Sequence, residues 1–112
     1  MRGVLVVTSS AGVLGDPHPT RLAFTAPPRP NPSRSAVSFN VGLPREQNVR
    51  IEVVDLLGAR VAVLHDGALE AGDHRFRWNG LTERGDPARA GVYVVVLRSG
   101  AMMMSRSVSL LR

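Results

Sequence analysis

Cysteine and lysine are both absent from the 112-residue chain, and aromatic residues make up only 4% of it. A chain without cysteine cannot form a disulfide framework, a thiolate metal site or a cysteine nucleophile. Because aromatic residues are so few, a hydrophobic core has to be built mainly from Val, Leu, Ala and Met. We therefore expect the burial of aliphatic side chains to supply the stability of the fold.

With lysine absent, arginine supplies the whole basic content of 14 residues, which outweighs nine acids and gives a net charge of +5. The arginines are spread along the chain and do not form a run with aromatic neighbours. A protein that binds nucleic acid concentrates its positive charge in a patch or stripe, often beside stacking aromatic residues. We interpret the arginines as solvated surface residues and expect no nucleic-acid partner.

Long apolar runs are also missing, because no stretch approaches the roughly 20 residues of a membrane-spanning helix. We therefore expect no transmembrane segment. The first residues, Met1 to Val7, resemble a short signal peptide, but no clear cleavage site follows them. The end of a preceding domain, a truncated gene model and a disordered extension remain as alternative interpretations.

Prolines recur between Gly15 and Ser33, a composition that is typical of a stiff linker. Within this segment only residues Arg21 to Ala26 could form a short edge strand. We therefore predict two parts. Residues 1–33 are an N-terminal extension or linker, or the remnant of a preceding domain, and residues 34–112 are the folded domain.

Alternating apolar and polar residues begin after Ser33 and indicate β-strands between turn signals. The first strand runs from Val37 to Leu43. A second, from Val49, stops at Asp55, and a return strand follows from Arg60 to His65. Asp55 can accept backbone hydrogen bonds in a tight turn and Gly58 can adopt a positive φ, so this pair of strands is predicted to be a β-hairpin.

The second half of the chain continues the pattern. His74, Phe76 and Trp78 share one face of a further strand. The apolar run Val92 to Arg98 is typical of a central strand covered on both faces, with Tyr93, Val95 and Leu97 as its inner set. After a long polar loop and this strand, Ala101 to Leu111 supply the last strand, and no window has helical periodicity. We predict an all-β sandwich of about seven antiparallel strands.

Several short motifs follow one another in a fixed order along these strands. Asn31-Pro32 precedes the first core strand, Asp55 to Val61 forms the hairpin turn, and Ala71 to His74, Trp78 to Gly80 and Ala90 to Tyr93 follow. In this order they resemble the carboxy-terminal immunoglobulin-like domains grouped with the Ig-like domain of the flagellar hook-capping protein and with type IX secretion sorting domains. The motif residues that carry the resemblance are Asn31, Pro32, Asp55, Gly58, Gly72, Trp78, Gly80, Gly91 and Tyr93.

The sequence also departs from the family pattern at two places. Ser33 stands where an aromatic residue is common, and Ser107 where a lysine is common, with Arg106 as the nearest basic residue. These departures concern the sorting signal more than the fold.

The resemblance implies an immunoglobulin-like sandwich that serves as a non-catalytic sorting and anchoring module of a secreted or cell-surface bacterial protein. Its partners would be the outer-membrane secretion and attachment machinery and an upstream cargo domain in the same polypeptide. The alternative is a structural Ig-like spacer or assembly domain, as in flagellar hook-capping proteins. The expected docking strand comprises Met103, Arg106, Ser107, Val108, Leu110, Leu111 and Arg112.

No motif for catalysis, phosphate binding or metal binding is present. His18, His65 and His74 lack a metal-binding spacing, and the loop with Glu83 and Asp86 has too few carboxylates for Ca²⁺. We therefore expect no enzyme, no cofactor and no metal.

Two further expectations concern binding surfaces. Carbohydrate binding would need an exposed aromatic platform, and only Phe24 lies outside the expected core. In the last strand, alternation predicts that Met102 and Met104 face the core and that Met103 is exposed. A docking edge for a partner strand is the alternative for this methionine run.

Overall fold

The structure, a computed structural model, describes residues 21–111, which form seven β-strands and no helix. The strands are β1 (Ala23–Arg29), β2 (Val37–Leu43), β3 (Gln47–Asp55), β4 (Arg60–Leu69), β5 (Gly72–Trp78), β6 (Gly91–Ser99) and β7 (Met102–Leu110). They form a three-stranded sheet in the order β1-β2-β5 and a four-stranded sheet in the order β4-β3-β6-β7. Every pairing within the two sheets is antiparallel, which confirms the predicted sandwich.

The core lies between the two sheets and consists of the inward residues of each strand. Trp78, Phe39 and Ile51 are completely buried within it. Burying one such side chain stabilises a fold by about 1.5–3 kcal/mol, which offsets part of the conformational entropy lost on folding. The other large side chains with almost no exposure are Leu43, Leu97, Leu110, Val37, Val41, Val49, Val53, Val95 and Val108.

The β3–β4 hairpin has the turn that its sequence predicts. One carboxylate oxygen of Asp55 accepts hydrogen bonds from the backbone N–H groups of Leu57 and Ala59, both at 2.9 Å. Gly58 has a φ of 84°. This left-handed conformation is one that residues with a side chain adopt only at a cost. Leu57 at the tip is 95% exposed, so the turn is held by polar bonds to Asp55 rather than by packing.

The sandwich begins before the expected boundary at residue 34. β1, which contains Pro27 and Pro28, pairs with β2 in the three-stranded sheet, with register irregularities around the prolines. The edge position of β1 accommodates one of the two adjacent prolines, and the irregular pairing with β2 between Ala26 and Arg29 accommodates the other. Part of the predicted linker is therefore the first strand of the domain.

Two expectations about apolar residues were wrong. Val92 is 40% exposed and Val94 only half-buried, because the sandwich has two layers and the described residues place no third layer over the start of β6. Met102 is 52% exposed, because it lies at the first position of β7, beyond the region that the opposite sheet covers. The exposure of Met103 and the packing of Met104 against the core agree with the predicted alternation.

The loop between β5 and β6 is anchored to the core by two aromatic residues. The indole N–H of Trp78 donates to the backbone oxygen of Leu81 at 3.0 Å, and the hydroxyl of Tyr93 donates to the backbone oxygen of Arg89 at 2.6 Å. The centres of the two aromatic rings are 5.2 Å apart. A tyrosine near the start of this strand that bonds back to the preceding loop is a hallmark of immunoglobulin-like sandwiches.

Candidate docking surfaces

The predicted docking strand is β7, and the structure divides its residues between two faces. Val108 and Leu110 are each 1% exposed and belong to the core, so their side chains are not available to a partner as expected. Their burial follows from the two-residue period of a strand, which turns every second side chain toward the other sheet. Met103, Ser107 and Leu111 are exposed, and Arg112 lies outside the described residues.

The outer edge of β7 is covered over its second half by the crossover that follows β1. The N–H of Ser33 donates to the backbone oxygen of Ser109 at 2.8 Å, and the N–H of Leu111 donates to the backbone oxygen of Ser33 at 2.7 Å. The Asn31 amide donates to the Ser107 oxygen at 3.2 Å and accepts from the Ser109 N–H at 2.9 Å. We call residues Asn31 to Ser33 the clasp.

The clasp gives Asn31 and Pro32, the first motif of the family pattern, a structural role. Asn31 imitates a strand backbone with its amide, since it offers one donor and one acceptor to the edge. Ser33, which is buried, continues this pairing as a parallel bridge to Leu110. Sequence patterns could mark the Asn-Pro pair but not its partner, which lies more than seventy residues away.

Arg106 contributes to the same side of the sandwich. Its guanidinium lies 4.9 Å from the centre of the Phe24 ring. This is a cation–π contact between β7 and β1. Phe24 in turn packs against Phe39, with ring centres 5.9 Å apart. Phe24 is therefore partly buried under Arg106 and does not form an exposed platform for a sugar.

Within residues 21–111, the first half of the β7 edge has no backbone partner, although β1 approaches it where Phe24 contacts Arg106. In a strand, the N–H and C=O groups of successive residues point to opposite sides, so Met103 and Ser105 share the outward direction of Ser107 and Ser109. Among residues 21–111, no backbone hydrogen bond reaches this edge before Ser107. The Ser105 oxygen accepts only from the Arg106 side chain, at 2.7 Å.

The opposite side of the sandwich, between β4 and β5, is more open. Two shallow cavities of about 460 and 440 Å³ lie between β4 and the β5–β6 loop. The first has an apolar floor that includes Ala62, Leu64 and Trp78. Glu83 lines both cavities and forms an ion pair with Arg60 at 2.9 Å across the opening.

The outer face of the four-stranded sheet carries a network of paired charges. Glu52, which is buried, accepts from Arg50 at 3.0 Å and lies 4.0 Å from Arg98. Arg50 also contacts Asp66 at 3.2 Å. The hydrogen bond to Glu52 and the attraction between the two charges raise the pKa of Arg50.

The outer face of the three-stranded sheet has a different polar network. The hydroxyl of Thr25 donates to the Asp73 carboxylate, which also accepts from the Asn40 amide at 2.8 Å. These two hydrogen bonds, that of Thr25 first, lower the pKa of Asp73. Gly42 lies beside Asp73 in the sheet and has no side chain, which leaves room for this carboxylate to reach β1.

Among the remaining motif residues, Gly72 and Gly91 begin β5 and β6, and Gly80 lies in the loop between these strands. Gly72, Gly80 and Gly91 have positive φ values, as Gly58 does. The histidines serve separate local contacts: His65 approaches the Gly67 oxygen at 3.1 Å and His74 the Glu70 oxygen at 2.8 Å, while His18 lies outside the described residues.

Two classes of site are absent from the described residues. No group of three His, Asp or Glu side chains between residues 21 and 111 is arranged to hold a metal ion. The same part of the chain contains no helix with the length and apolarity needed to cross a bilayer.

Residues 32–101 match the FlgD Ig-like domain family. The chain belongs to this family. Among curated proteins none matches the chain. Among solved structures, the chain is similar to the crystal structure of dimeric latent PorU from Porphyromonas gingivalis, with a TM-score of 0.53 and 16% sequence identity. The similarity covers 96% of this chain but only 10% of the PorU chain, and at this identity it concerns the fold alone.

Proposed function

We propose that this FlgD Ig-like domain is a non-catalytic sorting and anchoring module of an exported bacterial protein. Its partner is the outer-membrane secretion and attachment machinery of a type IX system, its cargo is an upstream domain of the same polypeptide, and its site of action is the cell surface. Family membership and the ordered motifs that resemble sorting domains support this proposal. The uncovered first half of the β7 edge is the observation that carries it.

An uncovered strand edge can accept a partner strand, because its outward N–H and C=O groups have no neighbour to pair with. Within residues 21–111, β7 offers such an edge from Met102 to Arg106, where the Ser105 oxygen alone accepts a side-chain bond, from Arg106, and the clasp occupies the edge from Ser107 onward. The docking segment is therefore shorter than the strand that the sequence indicates.

The side chains on this segment suit an adaptable contact. Met102 and Met103 are both more than half exposed. Unbranched thioether side chains can adjust to irregular partner surfaces. Backbone pairing supplies affinity in such contacts, whereas the side chains beside the edge supply selectivity.

Surface delivery of a passenger tests the proposal. The whole 112-residue chain is fused to the carboxyl end of a periplasmically exported fluorescent protein in a type IX-competent bacterium. We expect the passenger at the cell surface, detected by its accessibility to added protease. Retention of the intact fusion in the periplasm would contradict the proposed role.

A pair of variants at one position tests the edge itself. Ser105→Pro removes the outward N–H, and edge strands tolerate proline at such a position. Ser105→Ala keeps this donor and serves as the matched control. We expect Ser105→Pro to lose surface delivery while the alanine variant keeps it. Equal delivery by both folded variants would mean that the edge does not pair with the machinery.

The family match also favours a second function, as a structural spacer or assembly domain. In that case the domain binds neighbouring subunits and never directs export. Surface delivery of the fusion distinguishes the two functions, because an assembly domain leaves its passenger in the periplasm.

A further inference from the structure

The outer face of the three-stranded sheet forms a shallow basic trough. Its floor is the central strand β2, whose outward residues Ser38, Asn40 and Gly42 are small or polar. Arginines rise on both sides: Arg29 on β1, and Arg75 and Arg77 on β5. Arg29 and Arg77 both pair with Ser38, so the three residues form one row across the sheet. Two strand spacings separate the two arginine backbones, a distance of about 10 Å.

These three arginines are exposed, and within residues 21–111 none of them makes an ion pair. The salt bridges in this part of the chain all involve Arg50, Arg60 or Arg98. Within residues 21–111, Arg29 and Arg75 donate only to neutral oxygens. Arg29 donates to the Pro27 backbone oxygen and the Asn40 side-chain oxygen, and Arg75 donates to the Ser38 hydroxyl, each at 3.4 Å.

Asp73 is the one acid in strands β1, β2 and β5, and it does not neutralise the arginines. It lies at the far end of the trough, where Thr25 and Asn40 hold its carboxylate. The face therefore retains uncompensated positive charge, in contrast to the four-stranded face, where Arg50 and Arg98 share Glu52.

We propose that this trough binds an extended acidic segment of a protein partner, whose Asp or Glu carboxylates pair with Arg29, Arg75 and Arg77. The planar guanidinium matches a carboxylate in a bidentate geometry, so each arginine can take one acidic side chain. Ser38 is 8% exposed and Gly42 is also buried, and Arg75 and Arg29 reach across to Ser38 and Asn40, so the acidic segment lies over the arginine side chains rather than on the backbone of β2.

The alternatives among anionic polymers fit this face less well. Sugar rings and nucleic-acid bases both use aromatic side chains for stacking, and the outward positions of this sheet have none. An acidic peptide needs only carboxylate partners and a flat path, and the trough offers both.

Binding of a fluorescein-labelled decaglutamate peptide to the whole chain, followed by fluorescence anisotropy at low salt, tests this inference. We expect the combined variant Arg29→Gln, Arg75→Gln, Arg77→Gln to bind about tenfold more weakly, since each exposed charge pair contributes a fraction of a tenfold change. Added salt weakens the binding of the unmodified chain.

The matched control is Arg45→Gln, Arg84→Gln, Arg89→Gln, which removes three exposed arginines elsewhere and so gives the same net charge. We expect this control to lose less than about twofold in affinity for decaglutamate, because net charge alone contributes little to binding at a specific site. Circular dichroism verifies that both variants are folded.

Equal losses in the two triple variants would overturn the inference, because they would assign binding to net charge. Binding that salt leaves unchanged would overturn it as well. Tighter binding of a heparin decasaccharide or a single-stranded oligonucleotide than of decaglutamate would overturn the choice of a protein partner. Loss confined to the trough variant, with decaglutamate as the tightest ligand, supports it.

Discussion

The two lateral sides of the sandwich are closed by different means. On the side of β1 and β7, the clasp joins the sheets through backbone hydrogen bonds and the Asn31 amide. On the side of β4 and β5, the sheets separate over shallow cavities, and an exposed ion pair between Arg60 and Glu83 spans the opening. The first side is held by bonds between main chains, whereas the second relies on the core beneath it.

The comparison shows two ways to protect an exposed edge. The clasp satisfies the outward groups of β7 directly. β4 has two register irregularities in its pairing with β3. Such bulges twist an edge away from regular pairing with another chain. Within the described residues the first half of β7 has neither protection, which is why we propose it as the docking edge.

The largest expected effect tests whether the open side depends on its core. Trp78 is buried and forms part of the cavity floor. Trp78→Ala should therefore lower the free energy of unfolding by about 3–5 kcal/mol. Urea denaturation followed by circular dichroism measures this change. Phe24→Ala on the clasped side is the comparison, and we expect a smaller loss because Phe24 is only partly buried. Equal losses would remove the distinction between the two sides.

The next effect tests the clasp. Asn31→Ala removes one donor and one acceptor from the edge of β7. The loss should cost about 1–2 kcal/mol in urea denaturation. Asn31→Asp keeps the acceptor for the Ser109 N–H but sets a carboxylate oxygen against the Ser107 oxygen, so we expect it to destabilise the domain as well. An alanine variant as stable as the unmodified chain would show that Ser33 alone closes this side.

A smaller effect is expected at the ion pair across the open side. The side chains of Arg60 and Glu83 are both well exposed. Water therefore screens their attraction, and Glu83→Gln should change the unfolding free energy by less than about 1 kcal/mol. The change should be smaller still at high salt. A loss of unfolding free energy as large as that of Asn31→Ala would show that the ion pair is a main contact holding the sheets together on the side of β4 and β5.

The smallest effect depends on pH and concerns the bond between β1 and the rest of its sheet. The pKa of Asp73 is lowered from its ordinary value of 3.8, chiefly by the hydrogen bond from Thr25. Because the folded-state pKa is the lower one, the stabilisation is present above pH 3.8 and is lost as the pH falls through the folded-state value.

Asp73→Asn should therefore destabilise the domain at pH 7, and the difference should shrink as the pH falls below 3.8. Thermal unfolding of both chains across this range provides the measurement. A stability difference between the two chains that is constant with pH would show that the Asp73 carboxylate is not the group responsible. Thr25→Val removes the main hydrogen bond to Asp73, so it should also weaken the dependence of stability on pH.

Alternation and turn chemistry were sufficient to predict most of the fold. Local sequence determines the hairpin at Asp55 and Gly58 and the inner faces of β2, β5 and β6. The structure confirms both predictions. The role of β1 could not be predicted in the same way, because Pro27 and Pro28 are typical of a linker unless the strand is known to lie at an edge.

The candidate site was harder to predict for a related reason. Alternation assigned faces to the residues of β7, and the period that turns Met104 toward the core also turns Val108 toward it, so including Val108 in the docking strand conflicted with the alternation. The clasp and the contact of Arg106 with Phe24 join residues distant in sequence, and single-sequence patterns carry no record of such pairs.

The clasp also determines when the domain can be completed during synthesis. Ser33 can form its backbone hydrogen bonds only after Ser109 and Leu111 have left the ribosome, and these residues follow nearly all the rest of the domain. Pairing of segments so far apart in sequence is slow compared with local hairpin formation. β1 can pair with β2 early in synthesis, whereas the clasp stays open until the last strand has emerged.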